Sequence, residues 1–129
     1  MARTTQITVS AESKVGALAQ ITRALARAGV NIVAINAGEA AGRGKVRMIV
    51  SDPGRALAAL KAAKIRAGQE PALVLTLPDQ PGALADVAEK LARARINIKT
   101  AYATTSGTGG PTTVVLVVAN PDKADAALR

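Results

Sequence analysis

Several residue types that carry chemistry in other proteins are missing from this 129-residue chain. It has no cysteine, histidine, tryptophan or phenylalanine, and Tyr102 is its single aromatic residue. Without cysteine there is no disulfide and no thiol nucleophile, and without histidine there is no imidazole base or histidine metal ligand. The carboxylates are scattered, so no acid–base or metal constellation is indicated. We therefore expect a protein that is not an enzyme and needs no metal or cofactor.

Long apolar segments are also absent. The longest apolar run covers residues 114–119, whereas a membrane-spanning helix takes about 20 residues. The first ten residues lack the apolar core of a secretory signal peptide. We expect a cytoplasmic protein without contact to a membrane.

Positive charge dominates, and it is concentrated in the first half of the chain. The net charge is +8, with eleven Lys or Arg against four Asp or Glu in residues 1–70 (+7) and six against five in residues 71–129 (+1). A basic half can attract nucleic acid or another anionic partner. A solvated basic surface explains the same composition, and the charge alone does not choose between the two.

An internal repeat organises the chain. Residues 15–32 (VGALAQITRALARAGVNI) and 81–98 (PGALADVAEKLARARINI) share ten identical positions at a shift of 66 residues. The pairs are Gly16/Gly82, Ala17/Ala83, Leu18/Leu84, Ala19/Ala85, Leu25/Leu91, Ala26/Ala92, Arg27/Arg93, Ala28/Ala94, Asn31/Asn97 and Ile32/Ile98. Such a period indicates two copies of one supersecondary unit. We assign the first repeat to residues 5–70 and the second to residues 71–129. Because units of about 60 residues are marginally stable alone, we expect them to pack together through their sheets.

The first repeat has the pattern of a β-α-β-β-α-β unit. Alternating apolar residues predict strands over residues 7–11, 32–35, 46–50 and 65–69. The predicted first helix, residues 16–28, has Leu18, Ile21 and Leu25 on one face. The second begins at Asp52-Pro53, because proline suits the first helical position. The glycine-rich residues 38–44 predict a flexible hairpin loop.

The second repeat follows the same order but stops early. We predict strands over residues 73–77, 98–104 and 112–119, a hairpin loop over 106–111 and a helix lined by Leu84 and Leu91. Asn120-Pro121 mirrors Asp52-Pro53 and opens a last helix over 122–129. Arg95 stands where the first repeat has Gly29, and a left-handed Arg would cost roughly 1 kcal/mol or more, so we expect that helix end to be shaped differently. No fourth strand remains to flank residues 73–77. We expect this edge to be covered by part of the first repeat or by a partner chain.

The order of elements gives the fold class. A β-α-β-β-α-β order is the split βαβ arrangement of ferredoxin-like folds. We predict an α+β protein of two ferredoxin-like βαββαβ units with antiparallel sheets, the second unit lacking its last strand.

The residues at the start of the first helix of each repeat resemble those of a known family. The pattern resembles the ACT domain, a small regulatory module that binds amino acids. It consists of a strand, a turn with Pro-Gly-x-Leu, a helix and then Asn-Ile before the next strand. The second repeat matches through residues 79–84 and Asn97-Ile98, and the first through residues 13–18 and Asn31-Ile32, with Val15 in place of the usual proline. Two units in so short a chain resemble stand-alone tandem ACT proteins.

The resemblance implies a ligand site between the first turn of one unit and the strands of a neighbouring unit. A helix start offers free N–H groups and a positive dipole end to a carboxylate, glycine lets a ligand approach the backbone, and Asp79 could pair with an ammonium group. The candidate ligand-binding residues are Ser13, Gly16, Ala17, Leu18, Asn31 and Ile32 in the first repeat and Asp79, Gln80, Gly82, Ala83, Leu84, Asn97 and Ile98 in the second. Because Ser13 stands where the second repeat has Asp79, we expect the second motif to be the better site.

Structural roles explain the same residues. The two helix-start glycines could serve close helix–sheet packing, and Asp79, Ser13, Asn31 and Asn97 could be turn or cap residues. The glycine clusters lack the spacing of a phosphate loop and join two strands instead of a strand and a helix.

Three functions are compatible with the sequence. The first is a non-catalytic regulator that senses a small amino acid, forms a homodimer and acts on a partner enzyme. The second is a regulatory subunit acting mainly by protein contacts, similar to the small subunit of acetolactate synthase. The third is nucleic-acid binding on this βαββαβ topology, which would need aromatic residues for base stacking. The corresponding strands have none, so nucleic acid is not an expected partner.

Overall fold

The computed structural model describes residues 2–105, 107 and 109–129. These residues form six strands and four helices. In chain order they are β1 (Ala2–Glu12), α1 (Ala17–Arg27), β2 (Ile32–Ala40), β3 (Arg43–Val50), α2 (Pro53–Ala62), β4 (Ala67–Leu77), α3 (Ala83–Arg93), β5 (Ile98–Thr105), β6 (Thr112–Val118) and α4 (Pro121–Leu128). No helix among them is long and apolar enough to cross a bilayer.

The chain divides into two compact units, each with a four-strand order. The first unit comprises residues 5–70, and the second comprises residues 2–4 with residues 71–129. The strand order is β2-β3-β1-β4 in the first unit and β1-β4-β6-β5 in the second. The pairs β1/β3, β2/β3, β4/β6 and β5/β6 are antiparallel. The predicted α+β class with two ferredoxin-like units is confirmed.

The strand edge that the second repeat left open is covered by the chain's own beginning. In the second unit β1 occupies the place beside β4 that the missing fourth strand would take. The residues of β1 that belong to the second unit, 2–4, precede the predicted first repeat (residues 5–70).

Strand β4 corrects the predicted break between the repeats. Residues 65–69 and 73–77 were expected to form separate strands, but residues 67–77 form one continuous strand that contains Pro71. Proline lacks an N–H donor, yet its fixed φ is compatible with extended backbone. The boundary between the two units therefore falls inside a strand.

Each unit has its own apolar core between its helices and one face of its sheet. The fully buried residues of these cores are Ile7, Leu25, Met48, Ala56 and Leu60 in the first unit and Leu73, Leu91, Leu116 and Ala124 in the second. The prediction that Leu18 and Leu84 belong to the buried helix faces is wrong, since they are 45% and 47% exposed. Burial begins one turn later in each helix.

The helix ends reveal a second correction. Gly29 follows α1 with φ of 73°, as predicted, and the N–H of Val30 donates to the carbonyl of Leu25 (3.0 Å). Arg95 follows α3 with φ of 59°, and Ile96 donates to Leu91 in the same way (2.9 Å). The expectation of a different helix end at Arg95 is wrong, because the hydrogen bond of this motif is made despite the side chain.

The helix starts predicted from the Asp-Pro and Asn-Pro pairs, those of α2 and α4, are confirmed. The Asp52 side chain accepts a hydrogen bond from the N–H of Arg55 (3.1 Å), and Asn120 accepts one from Lys123 (3.1 Å). Each cap satisfies one of the free N–H groups in the first turn.

The first hairpin is tighter than predicted. Strands β2 and β3 extend through most of residues 38–44, and only Ala41 and Gly42 form the turn, with φ of 53° and 77°. Two central residues with positive φ fit the twist of a hairpin. In the second predicted loop, residues 106 and 108 lie outside the described residues.

Candidate ligand-binding site

The two helix starts share an unusual backbone conformation. Gly16 and Gly82 precede α1 and α3 with φ of 88° and 90°, where residues with a side chain are strained,. A Cβ added to either glycine would meet no atom within 4 Å. Close helix–sheet packing therefore does not explain these glycines. Their conformation does, and it leaves open space in front of each helix.

A pocket of about 280 Å³ lies at the start of α1 in the first unit. Its lining residues come from the end of β1, the loop before α1, the first turns of α1 and the neighbouring ends of β2 and β3. They are Ala11, Glu12, Ser13, Lys14, Ala17, Leu18, Ile21, Ala37, Gly38, Glu39, Gly44 and Val46. Three of the predicted residues, Ser13, Ala17 and Leu18, are thus brought together.

Small residues on the sheet leave room for this pocket. Ala11 pairs with Gly44 across β1 and β3. Alternate residues of a strand share a face, so both positions lie on the same face as the buried Val9 and Val46. Gly44 does not have positive φ, and a Cβ there would approach no atom closer than 3.6 Å. The backbone does not demand glycine at this position, but the absence of a side chain opens the pocket.

The corresponding strand positions of the second unit carry larger side chains. Leu77 pairs with Thr112 across β4 and β6, as Ala11 pairs with Gly44. Leu77 packs against the core of its unit. The Thr112 hydroxyl is buried without a hydrogen-bond partner among the described residues. The two units therefore differ in the side chains at this pair of strand positions.

The helix starts also differ in charge. Helix α1 has neither a side-chain cap nor an acidic residue in its first turn, and Lys14 lies in the loop before it. Helix α3 has Asp86 in its first turn, with Asp79 in the preceding loop. Because a helix start carries a partial positive charge, Asp86 compensates that charge from within the first turn of α3, whereas the carboxylates near α1, Glu12 and Glu39, lie outside its first turn.

One hydrogen bond in each unit ties the loop before the helix to the strand after it. The Ser13 hydroxyl donates to the Glu39 carboxylate. In the second unit the Thr105 hydroxyl donates to Asp79 (2.7 Å) and accepts from the N–H of Gly107 (3.1 Å). Asp79 is therefore engaged within its own unit.

The other residues of the second motif take part in the turn. The N–H of Gln80 donates to the carbonyl of Pro78 (3.0 Å), and the carbonyl of Gln80 accepts from Ala83 (3.3 Å). Leu84 follows in the exposed first turn of α3. The expectation that the second motif is the better site stays a prediction.

The two asparagines lie at the opposite ends of the helices. Asn31 follows α1, an 11-residue helix and therefore about 16 Å long. Its N–H donates to the Ser51 hydroxyl (3.0 Å), and its carbonyl accepts from the N–H of Ser51 (2.9 Å). The Asn97 carbonyl accepts from Ala119 (3.0 Å).

The isoleucines after these asparagines belong to the packing of each unit. Ile32 and Ile98 pack against the cores of the first and second unit. Within a unit, neither Asn-Ile pair joins the helix start.

Sequence reasoning missed Glu39 and Gly44. Glu39 is 26 residues from Ser13, and no motif marks it. One signal was available, since a shift of 66 aligns Glu39 with Thr105 as it aligns Ser13 with Asp79. Both pairs consist of a hydroxyl and a carboxylate.

Several basic residues of the first repeat lie away from the α1 pocket, at the end of α2. A cleft of about 510 Å³ at the end of α2 is lined by residues that include Lys61, Lys64 and Arg66. Cations near a helix C-terminus complement its free carbonyl groups, which gives this cluster a structural role. Among the described residues, no group of three or more Asp or Glu could hold a metal ion.

Comparison with known proteins places this geometry in a family. The model of a family described as an ACT domain pair matches residues 2–128. The crystal structure of protein BT0572 from Bacteroides thetaiotaomicron has 31% sequence identity and a TM-score of 0.91, covering 98% of this chain and 86% of that one. No protein with curated annotation matches the chain.

More distant structures share the fold. The regulatory subunit of aspartate kinase from Thermus thermophilus, in its ligand-free form, has 23% identity and a TM-score of 0.72, covering 99% of this chain and 91% of that one. The corresponding subunit from Thermus flavus has 21% identity and a TM-score of 0.68, with coverage of 99% and 92%. The match over residues 2–128 decides the assignment: the chain belongs to the ACT domain pair family.

Proposed function

We propose that this ACT domain pair is a non-catalytic regulatory protein that binds a small amino acid in the pocket at the start of α1. One observation carries the proposal. The pocket is lined by Lys14 beside an uncapped helix start and by the carboxylates of Glu12 and Glu39. A zwitterion needs positive and negative surroundings at its two ends, and this pocket offers both.

The carboxylate of the ligand binds at the start of α1. The first N–H groups of a helix and its dipole favour an anion, by about 0.3–1 kcal/mol at an exposed site and up to about 2 kcal/mol where the site is partly buried. The αL conformation of Gly16 and the open space around it let the carboxylate reach the backbone. Lys14 adds a full positive charge on the same side.

The ligand side chain is small. A pocket of about 280 Å³ lies at the lower end of the usual range for ligand sites, about 300–1,000 Å³. Its apolar wall consists of short or medium side chains, including Ala17, Ile21 and Val46. This lining favours an amino acid with a short side chain over an aromatic one.

Regulation follows if occupancy changes how the protein contacts a partner. The Thermus thermophilus structure with the same fold is a regulatory subunit of aspartate kinase, which supports an enzyme of metabolism as the partner class. We further propose that the chain works as a cytoplasmic homodimer, with a neighbouring ACT unit covering the ligand. The exposed Leu18 at the pocket would be shielded by such a cover.

A thermal-shift panel of the full chain against the twenty L-amino acids tests the proposal. The chain has no Trp, so unfolding is followed with an extrinsic dye. A ligand at about 100 times its Kd adds about 2.7 kcal/mol to the free energy of unfolding, which raises Tm by several degrees in a protein of this size. We expect a selective rise with one or a few small amino acids.

Two matched variants locate the site. Gly44→Val fills the pocket of the first unit and should abolish the rise, whereas Thr112→Val alters the paired position of the second unit and should keep it. A flat panel at millimolar concentrations would refute amino-acid binding and favour a subunit that acts by protein contacts alone. The exposed apolar Val33 and Ile35 on strand β2 would then be the first surface to test.

A further inference from the structure

The two loop-to-strand hydrogen bonds occupy equivalent places in the units. A shift of 66 residues relates Ser13 to Asp79 and Glu39 to Thr105. The strand registers give the same equivalence independently of sequence identity. Glu39 pairs with Gly44 as Thr105 pairs with Thr112.

The chemical groups of this hydrogen bond are exchanged between the units. In the first unit the hydroxyl is on the loop and the carboxylate is on β2. In the second unit the carboxylate is on the loop and the hydroxyl is on β5. A hydroxyl–carboxylate pair can be made from either side, so the tie between loop and strand is kept while the negative charge changes place.

The exchange decides where the negative charge stands relative to the helix start. In the first unit the carboxylate of Glu39 lies on β2, lines the pocket together with Glu12 and Lys14, and accepts a hydrogen bond from Ser13 of the loop. In the second unit Asp79 is in the loop itself, and Asp86 follows in the first turn of α3. Asp86 lies within the first turn of α3, where α1 has no acidic residue, and it competes with a ligand carboxylate for that helix start,.

We propose that Glu39 binds the ammonium group of the amino acid, and that each chain binds one amino acid, in the first unit. This inference rests on the proposed function. An ionised carboxylate accepts about four hydrogen bonds, so the bond from Ser13 leaves capacity for an ammonium donor. The Ser13 hydroxyl holds the carboxylate towards the loop, and the α1 start holds the other end of the ligand.

The test is isothermal titration of the full-length protein with each of the twenty L-amino acids. Each amino acid that binds is then compared with the matching carboxylic acid that lacks the amino group. We expect Glu39→Gln to weaken amino-acid binding by about 10- to 100-fold, the usual range for a charged hydrogen bond. Binding of the acid without an amino group should be unchanged, and the stoichiometry with wild type should be one ligand per chain.

A charge-exchange variant tests whether the position of the carboxylate matters when the net charge is kept constant. Ser13→Asp combined with Glu39→Thr gives the first unit the arrangement of the second, with the same net charge and the same type of hydrogen bond. We expect it to fold with the stability of wild type and to lose amino-acid binding. Glu89→Gln, on the exposed face of α3, removes one carboxylate elsewhere and should bind like wild type.

The outcomes distinguish this inference from the function on which it rests. If wild type binds no amino acid, both are overturned. If wild type binds and Glu39→Gln or the charge-exchange variant binds equally well, the role of Glu39 is overturned while the amino-acid function stands. Two ligands per chain would overturn the assignment to the first unit alone.

Discussion

Replacing Arg95 by glycine should stabilise the protein. Arg95 holds φ of 59° at the end of α3, where the equivalent residue after α1 is Gly29. A residue with a side chain in the left-handed region costs about 1–2 kcal/mol. Glycine removes this strain but adds about 0.4–1 kcal/mol of conformational entropy to the unfolded chain. The net gain in the free energy of unfolding is therefore about 0.5–1 kcal/mol.

The size of the gain in Tm depends on how much of the chain unfolds together. Unfolding of all 129 residues carries an entropy of about 270 cal/mol/K, so 1 kcal/mol corresponds to roughly 4 °C. Independent unfolding of the second unit alone would about double that shift. Calorimetry gives both the shift and the unfolding enthalpy, and so identifies the cooperative unit.

Two further variants make the test specific to backbone conformation. Arg95→Ala removes the same side chain but keeps the strain, so it should be less stable than Arg95→Gly. Gly29→Ala introduces the strain after α1 without a clash, because the added Cβ would lie 3.8 Å from Nη1 of Arg55. If Arg95→Gly were no more stable than Arg95→Ala, the left-handed conformation would not be a source of strain.

Three other changes have expected outcomes. Val15→Pro should raise the free energy of unfolding by about 0.4–1 kcal/mol, because exposed Val15 precedes left-handed Gly16 as Pro81 precedes Gly82. Pro81→Val should lower it by a similar amount. If chemical denaturation showed that Val15→Pro destabilises the protein, the two turns would not be equivalent. Asp52→Ala should lower the free energy of unfolding by about 1 kcal/mol in the same assay, because it removes the cap of α2, whereas Asp52→Asn should largely keep that cap. Equal stability of wild type and both variants would show that the Asp52 side chain does not stabilise the helix as a cap. Gly44→Val should change Tm without ligand by no more than about 2 °C, since an added Cβ meets only ordinary contacts,; a large loss of Tm would make it unfit as a pocket-blocking variant.

Local chemistry allowed much of the fold to be predicted from sequence. The repeat, the helices, the left-handed Gly29 and the caps at Asp52 and Asn120 depend on residues within one or two turns of each other. Such interactions are encoded by short spacings, so the α+β class and the order of elements follow from the pattern. The resemblance to ACT domains also rests on a compact motif around each helix start.

Arg95 and Pro71 are the places where local preference was overruled. Arg95 disfavours a left-handed helix end, yet the hydrogen bond of Ile96 to Leu91 is made there. Pro71 lacks an N–H donor, yet β4 runs through it because its neighbours on both sides pair within a sheet. Hydrogen bonding by the surrounding structure outweighs about a kcal/mol of local preference.

The sequence by itself determined two repeated units and the glycine that precedes the first helix of each, Gly16 and Gly82. Only the tertiary structure decided which residues meet in front of the helix. Glu39 reaches Ser13 across 26 positions of sequence, and Gly44 opens the pocket because strand register sets it opposite Ala11. The asparagines of the motif lie a helix length away for the same reason: a helix separates in space residues that a motif places close together in sequence. Pairing between strands, which spacing along the chain does not encode, builds the site.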